Sequence, residues 1–135
     1  MELVLWLGYS IYFYDEEDGR DYVGNFIDSL ANQDGRIALE IVNLLFRRLS
    51  NGEGVPVEWT KGIRPKVKPL SNRDIFEYRR RSSKLRKEIR VYFGVHRSSK
   101  TIVFVEASFK TSNAEQKRHI ELAERRFRTY IKKHR

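Results

Sequence analysis

The densest group of reactive side chains in this sequence is a run of basic residues in its second half. The run consists of Arg79-Arg80-Arg81, Lys84, Arg86, Lys87 and Arg90. An arginine offers a planar fork of donors that matches two phosphate oxygens. Cleavage of a phosphodiester needs such donors, because negative charge builds up on the phosphate in the transition state. The run therefore points to chemistry on a phosphate backbone.

Two of these arginines would lie side by side if the segments that contain them pair as strands. Residues 75–81 and 87–96 both have the pattern of strands, in which side chains alternate between the two faces. Pairing would bring Arg79 and Arg90 onto one sheet surface. Alternating arginines are also typical of a solvated sheet face, and the pattern leaves both interpretations open for this pair. The solvated face is favoured for three further cations of the run: Arg80, Arg81 and Lys84.

Several other kinds of site are excluded or disfavoured by the sequence. The chain has no cysteine, so it has no disulfide framework, thiolate metal site or cysteine nucleophile. Its histidines, His96, His119 and His134, lack the spacing of metal ligands. No Walker-type phosphate loop or dinucleotide fingerprint is present. Gly94 within a strand indicates a bulge or a close approach of another segment. We therefore expect neither a metal nor a cofactor.

Charge is distributed unevenly along the chain. Residues 1–60 contain 4 Lys and Arg against 11 Asp and Glu, which gives a net charge of −7. Residues 61–135 contain 23 against 7, a net charge of +16, and the whole chain is +9. A basic segment of this density favours a polyanion, most commonly a nucleic acid, through release of counterions. An anionic membrane, an acidic protein or simple solubility are the alternatives.

The apolar periodicity predicts one domain over residues 1–135, of the α+β class. The predicted elements are a strand at 3–14, helices at 21–30 and 36–49, a loop at 55–73, strands at 75–81, 87–96 and 101–109, and a helix at 114–133. The first strand and the later three would form one sheet with helices packed against it. The N-terminus has an acid, Glu2, where a secretory signal has positive charges, and its apolar stretch is shorter than the ~20 residues that span a bilayer. We expect a soluble, cytoplasmic protein.

Three segments in a fixed order resemble one known family. They are Pro65-Lys66-Val67-Lys68-Pro69-Leu70, then Ile75-Phe76-Glu77-Tyr78-Arg79, then Glu88-Ile89-Arg90-Val91-Tyr92-Phe93. In that order they are similar to the "PxxKPL", "LxELR" and "RxxRIxY" segments of the phage-derived HigB-like branch of the RelE/ParE toxin superfamily. The resemblance implies a RelE-like fold: an N-terminal strand, a helical hairpin, a three-stranded antiparallel meander that completes one sheet, and a C-terminal helix.

The resemblance implies a metal-independent endoribonuclease that cuts mRNA, usually on the ribosome, by attack of a ribose 2′-hydroxyl on the adjacent phosphate. By position in the motifs, Arg79 and Arg90 would hold the scissile phosphate. Lys110, the first lysine after the third strand of the meander, would hold the phosphate or the leaving group. Glu77 is a candidate proton acceptor, although an ion pair with a neighbouring arginine is the favoured interpretation for this residue.

Further residues are candidate RNA contacts. Lys66 and Lys68 would touch the RNA backbone, and Arg81 would add a third contact. Tyr92 and His96 would stack on a base or transfer a proton. The alternatives are that the tyrosine only covers the sheet and that the histidine is solvated.

The implied partners are mRNA and a separate antitoxin, typically a helix-turn-helix protein. The chain departs from the family pattern after Lys110, because Thr111-Ser112-Asn113-Ala114-Glu115-Gln116 stands where the family has two further lysines and a proline. A non-catalytic RNA-binding or ribosome-binding module on the same fold is therefore one alternative function. A ParE-like toxin that binds a topoisomerase is another.

Overall fold

The computed structural model describes residues 8–51, 55–63, 65–70 and 74–134. The strands are β1 (Ser10–Phe13), β2 (Val67–Pro69), β3 (Ile75–Ser82), β4 (Lys87–His96) and β5 (Thr101–Lys110), and the helices are α1 (Tyr22–Gln33), α2 (Gly35–Ile41) and α3 (Asn113–Lys133). The prediction of an α+β fold is confirmed. Residues 3–7 of the predicted first strand and residues 64 and 71–73 of the predicted loop lie outside the described residues.

The strands form one mixed sheet in the order β1-β5-β4-β3-β2. β1 runs parallel to β5, and the other neighbours are antiparallel, so β3, β4 and β5 form the predicted meander. The prediction of a loop over 55–73 is wrong in part, because it contains a short 3₁₀ helix (Val57–Thr60) and the edge strand β2. A three-residue strand that ends in proline has too little alternation to be recognised, and proline is tolerated there because the strand lies at the sheet edge.

The helical hairpin is organised by two aspartates. The side chain of Asp21 accepts a hydrogen bond from the Gly24 backbone N–H at 2.9 Å, which caps the N-terminus of α1. Asp34 ends α1 through its own backbone N–H and begins α2 by accepting from the Ile37 N–H at 3.3 Å. α2 continues as a π-helical segment, Val42–Arg48, and a last turn, Leu49–Asn51. The predicted second helix is therefore present, but its second half is wound more loosely than expected.

Each face of the sheet packs against helices. The hairpin covers one face, which includes Ile89, Val91, Phe93 and Val95 of β4. Tyr92 points to the opposite face, where it packs against residues of α3. This alternation along β4 agrees with the prediction. The face under α3 is also the one to which the candidate RNA residues belong, so α3 decides which of them remain accessible.

A β-bulge and a glycine fit the sheet to α3. The pairing of β4 with β5 shifts between Tyr92 and Phe93, so that Tyr92 lies opposite Glu106. The extra residue lets Val105 and Glu106 both face α3, although neighbouring residues of a strand normally face opposite sides. At Gly94 a Cβ atom would overlap the ring of Phe127. The predicted bulge or close approach at this glycine is confirmed.

Among the described residues, no helix is both long and apolar enough to cross a bilayer.

Candidate nucleic-acid interface

The register of the meander assembles the basic residues on the α3 side of the sheet. Arg79 of β3 lies directly opposite Arg90 of β4, as the sequence predicted. Two residues further along each strand, and so on the same face, Glu88 of β4 lies opposite Arg81 of β3 on one side and opposite Lys110 of β5 on the other. Residues directly opposite each other in antiparallel strands point to the same face. We call these five residues the meander cluster.

Access to the meander cluster depends on the course of α3. The helix begins at Asn113, just after β5, and Gln116 in its first turn reaches Glu77. Later residues of the helix contact the sheet progressively further from the cluster, for example at Gly94. The end of the sheet that holds the cluster is therefore less covered: Arg81 is exposed and Lys110 is half-buried.

Glu77 lies under the first turn of α3 and accepts hydrogen bonds from three side chains. Its Oε1 accepts from Arg90 at 2.6 Å and from the Arg79 Nε at 2.9 Å, while its Oε2 accepts from the Gln116 Nε2 at 2.9 Å. Burial by itself would raise the pKa of Glu77. The Gln116 hydrogen bond and the Arg90 charge outweigh burial, so the pKa is lowered. With 1% of its side chain exposed, Glu77 is poorly placed to accept a substrate proton, and the ion-pair interpretation is the one that fits.

The two candidate arginines differ in accessibility. Arg90 is 5% exposed and is held between two carboxylates, with its second hydrogen bond to the Glu88 Oε2 at 3.1 Å. Its buried Nε has no partner among the described residues. Arg79 is 29% exposed and uses only its Nε, so the two terminal nitrogens of its guanidinium have no described partner. Arg79 can therefore bind a phosphate directly, whereas Arg90 would first have to break one of its ion pairs.

Tyr92 cannot stack on a base in this structure, so its predicted RNA contact is not supported. Its side chain is fully buried beneath α3. Burial and the negative charge of Glu77 raise the pKa of the phenol. Alternation along β4 puts Tyr92 on the same face as Arg90, but it could not reveal that a helix covers this part of the face.

His96 lies at the far end of β4 and does not join the meander cluster. Six residues separate it from Arg90, which corresponds to ~20 Å along a strand. Its Nδ1 is 2.6 Å from the Ser99 Oγ, and its ring packs edge-on against Tyr130. The histidine is partly exposed and belongs to the β4–β5 turn, so the RNA contact predicted for it would lie away from the meander cluster.

The two lysines of the edge strand segment border the cluster. The backbone carbonyl of Lys66 accepts a hydrogen bond from the Arg79 N–H at 3.1 Å, and Lys68 lies opposite Glu77 in the register. Both side chains are exposed. Lys66 also lines an open groove of about 630 Å³ that is shared with Arg79, Arg81 and Glu88. These positions suit contacts with an RNA backbone.

Arg80 points to the opposite face of the sheet and has a structural role. Its Nε and one terminal nitrogen donate to the two carboxylate oxygens of Glu40, at 3.0 and 2.9 Å. This two-point contact joins β3 to the end of α2. The predicted solvated face therefore describes Arg80 only in part: 38% of its side chain is exposed, but the guanidinium is paired with a carboxylate of the hairpin.

The sequence did not single out four residues that border the site. Glu88 could have been recognised, because alternation along β4 places it on the same face as Arg90. Gln116 could not, since it meets Glu77 only through tertiary packing. The same holds for the pair of His119 and Glu106, whose Nδ1 and Oε2 atoms are 2.8 Å apart.

No family is assigned by comparison with known proteins. No protein-family model matches the chain, and no significant match exists among curated proteins or solved structures. Within the described part of the chain, no cluster of His, Cys, Asp and Glu could hold a metal ion. The geometry and charge of the meander cluster are therefore the observations that bear on function.

Proposed function

We propose that this protein is the toxin of a toxin–antitoxin pair, with a RelE-like fold, and that it is a metal-independent mRNA endonuclease. The main support is the register that places Arg79, Arg81 and Lys110 on one open end of the sheet, beside the edge-strand lysines. Five cations on one surface suit a phosphate backbone. The order of the sequence motifs supports the choice of family.

The accessible cations would perform different tasks in the reaction. Arg79 holds the scissile phosphate with the free end of its guanidinium and stabilises the charge that develops on it. Lys110 lies two strands away and holds the leaving oxygen. Arg90 acts indirectly, as a positioning residue, because its ion pairs fix Glu77 and Glu88. Lys66 and Lys68 contact neighbouring phosphates.

The proposed reaction is an internal transfer of the phosphoryl group. The 2′-oxygen of the ribose forms a bond to the adjacent phosphorus, and the bond from phosphorus to the 5′-oxygen of the next nucleotide breaks. The products are a fragment with a cyclic phosphate and a fragment with a 5′-hydroxyl. A metal ion has no assigned role in this step.

The proposed partners follow from the same surface. The proposed substrate is mRNA on translating ribosomes. The proposed location of the protein is therefore the cytoplasm. The antitoxin would be a helix-turn-helix protein whose covering segment is acidic. Such a segment would neutralise the exposed cations Arg79 and Arg81 and would displace the RNA.

A second candidate function is RNA binding without cleavage. The observation that favours it is the burial of Arg90 and Glu77 in a hydrogen-bonded network beneath α3, where neither side chain is open to a substrate. In that case the exposed cations alone would bind the RNA backbone, and each would contribute a similar, small share of the affinity.

Cleavage of a message in a cell-free translation reaction tests the proposal. Wild-type protein is compared with Arg79→Ala and Lys110→Ala, and new 5′ ends are mapped. Arg36→Ala is the matched control, because Arg36 is exposed on the hairpin, on the opposite side of the sheet. All variants are first checked for native circular dichroism.

The expected result is translation-dependent cleavage by the wild type and by Arg36→Ala, with loss of cleavage in the two site variants. An uncut message with folded wild-type protein would overturn the nuclease proposal. If the wild type leaves the message uncut but binds RNA, and alanine at each cation weakens that affinity in similar steps, the binding module is established instead.

A further inference from the structure

The nuclease proposed above needs a group that removes the proton from the 2′-hydroxyl, and the α3 side of the meander offers two carboxylates near its arginines. Glu77 is fully enclosed and accepts hydrogen bonds from three donors. Glu88 is 33% exposed and accepts one described hydrogen bond, from Arg90. A general base must reach the proton that it abstracts. Glu88 is therefore accessible enough to reach a substrate proton, whereas Glu77 is not.

We propose that Glu88 is the proton acceptor for the attacking 2′-hydroxyl; this inference rests on the proposed nuclease function. Arg90 holds Oε2 of Glu88 at 3.1 Å, which fixes the direction of the carboxylate. The other oxygen, Oε1, has no described partner, and the side chain lines the groove that Arg79 also lines. Arg90 thus positions the base in the same way that it anchors Glu77.

The neighbours of Glu88 place it between two cations of the meander cluster. Arg81 lies opposite it on β3 and Lys110 lies opposite it on β5. Directly opposite residues in antiparallel strands have Cβ atoms ~5 Å apart. A phosphate held by cations on this row brings its ribose beside the carboxylate. The row therefore combines a proton acceptor with cations on both sides.

The proton balance of the step is complete with these residues. Glu88 takes the proton of the 2′-hydroxyl as the bond between the 2′-oxygen and phosphorus forms. The bond to the 5′-oxygen breaks, and that oxygen receives a proton from the Lys110 ammonium. Water then returns a proton to Lys110 and removes the one on Glu88, so the enzyme is restored.

Glu88→Gln isolates the proton transfer from the structural contact. The amide keeps an oxygen that accepts from Arg90, but it cannot take a proton. The matched control is Glu121→Gln, because Glu121 is exposed on α3. Cleavage is measured as the single-turnover rate on a message in cell-free translation. Binding is measured with an RNA that carries a 2′-deoxy nucleotide at the mapped cut site.

We expect Glu88→Gln to slow cleavage by about 10²- to 10⁴-fold, the usual contribution of a general base. Affinity for the 2′-deoxy RNA should stay equal or rise, because a negative charge has left a cationic surface. A purely structural role would weaken both. Wild-type cleavage together with an unchanged rate in Glu88→Gln would overturn the inference and leave the nuclease proposal standing. Failure of the wild type to cleave would overturn both.

Discussion

Replacement of Glu77 by alanine tests whether the buried network beneath α3 stabilises the fold. The carboxylate accepts hydrogen bonds from Arg90, Arg79 and Gln116, which belong to two strands and a helix. Alanine removes all three hydrogen bonds at once. Arg90 then keeps only Glu88 as a partner, while its buried Nε already has none among the described residues.

The expected cost follows from the burial of the central pair. Glu77 is 1% and Arg90 5% exposed, so solvent screens their interaction little. Removal of one partner from a buried ion pair costs about 3–5 kcal/mol when the other charge is left uncompensated. We expect a value near the lower end of this range, because Glu88 still compensates part of the Arg90 charge. Arg79 is 29% exposed and adds less. Against a typical stability of about 5–15 kcal/mol, this destabilisation is large.

Urea unfolding followed by circular dichroism measures this destabilisation as a change in the free energy of unfolding. Glu121→Ala, on the exposed side of α3, is the control and should stay within about 0.5 kcal/mol of the wild type. Replacement of both partners, Glu77→Leu with Arg90→Met, should recover most of the stability, since apolar residues of similar volume can replace a buried pair. A cost below about 1 kcal/mol for Glu77→Ala would refute this reasoning.

Three further predictions concern packing, pH and binding. Gly94→Ala should destabilise the protein by about 1–3 kcal/mol in urea unfolding, because the new methyl group overlaps the Phe127 ring, and Phe127→Leu should partly restore it. Because the pKa of Glu77 is lower in the folded state, its ionisation stabilises the fold fully above the ordinary pKa of 4.5, and this stabilisation is lost as the pH falls through the folded-state pKa. When the free energy of unfolding is measured against pH, its decline in acid should therefore be shallower in Glu77→Gln than in the wild type. Arg79→Ala should change the free energy of unfolding by about 1 kcal/mol or less. It should also reduce the slope of log affinity for single-stranded RNA against log salt concentration by about 0.7 for each phosphate that the arginine neutralises in the wild type.

Local sequence patterns were sufficient for most elements, because the interactions that define them are close in the chain. Alternation along residues 87–96 predicted β4 and its two faces, and it placed Arg79 and Arg90 side by side once pairing was assumed. The cap at Asp21 was likewise readable, since its acceptor and donor lie three residues apart. The edge strand β2 escaped recognition because three residues contain too little pattern.

Tertiary structure alone decided which residues of the basic face are accessible. Nothing in the alternation of β4 distinguishes Tyr92 from Glu88, yet the first is buried under α3 and the second is partly exposed. The bulge that turns Glu106 toward α3 also depends on pairing with another strand. The sequence by itself determined the α+β elements, the charge of the two halves and the common face of the arginines. Burial and side-chain pairing depend on residues far apart in the chain, such as Glu77 and Gln116, which are 39 positions apart, so only the packed structure could assign them.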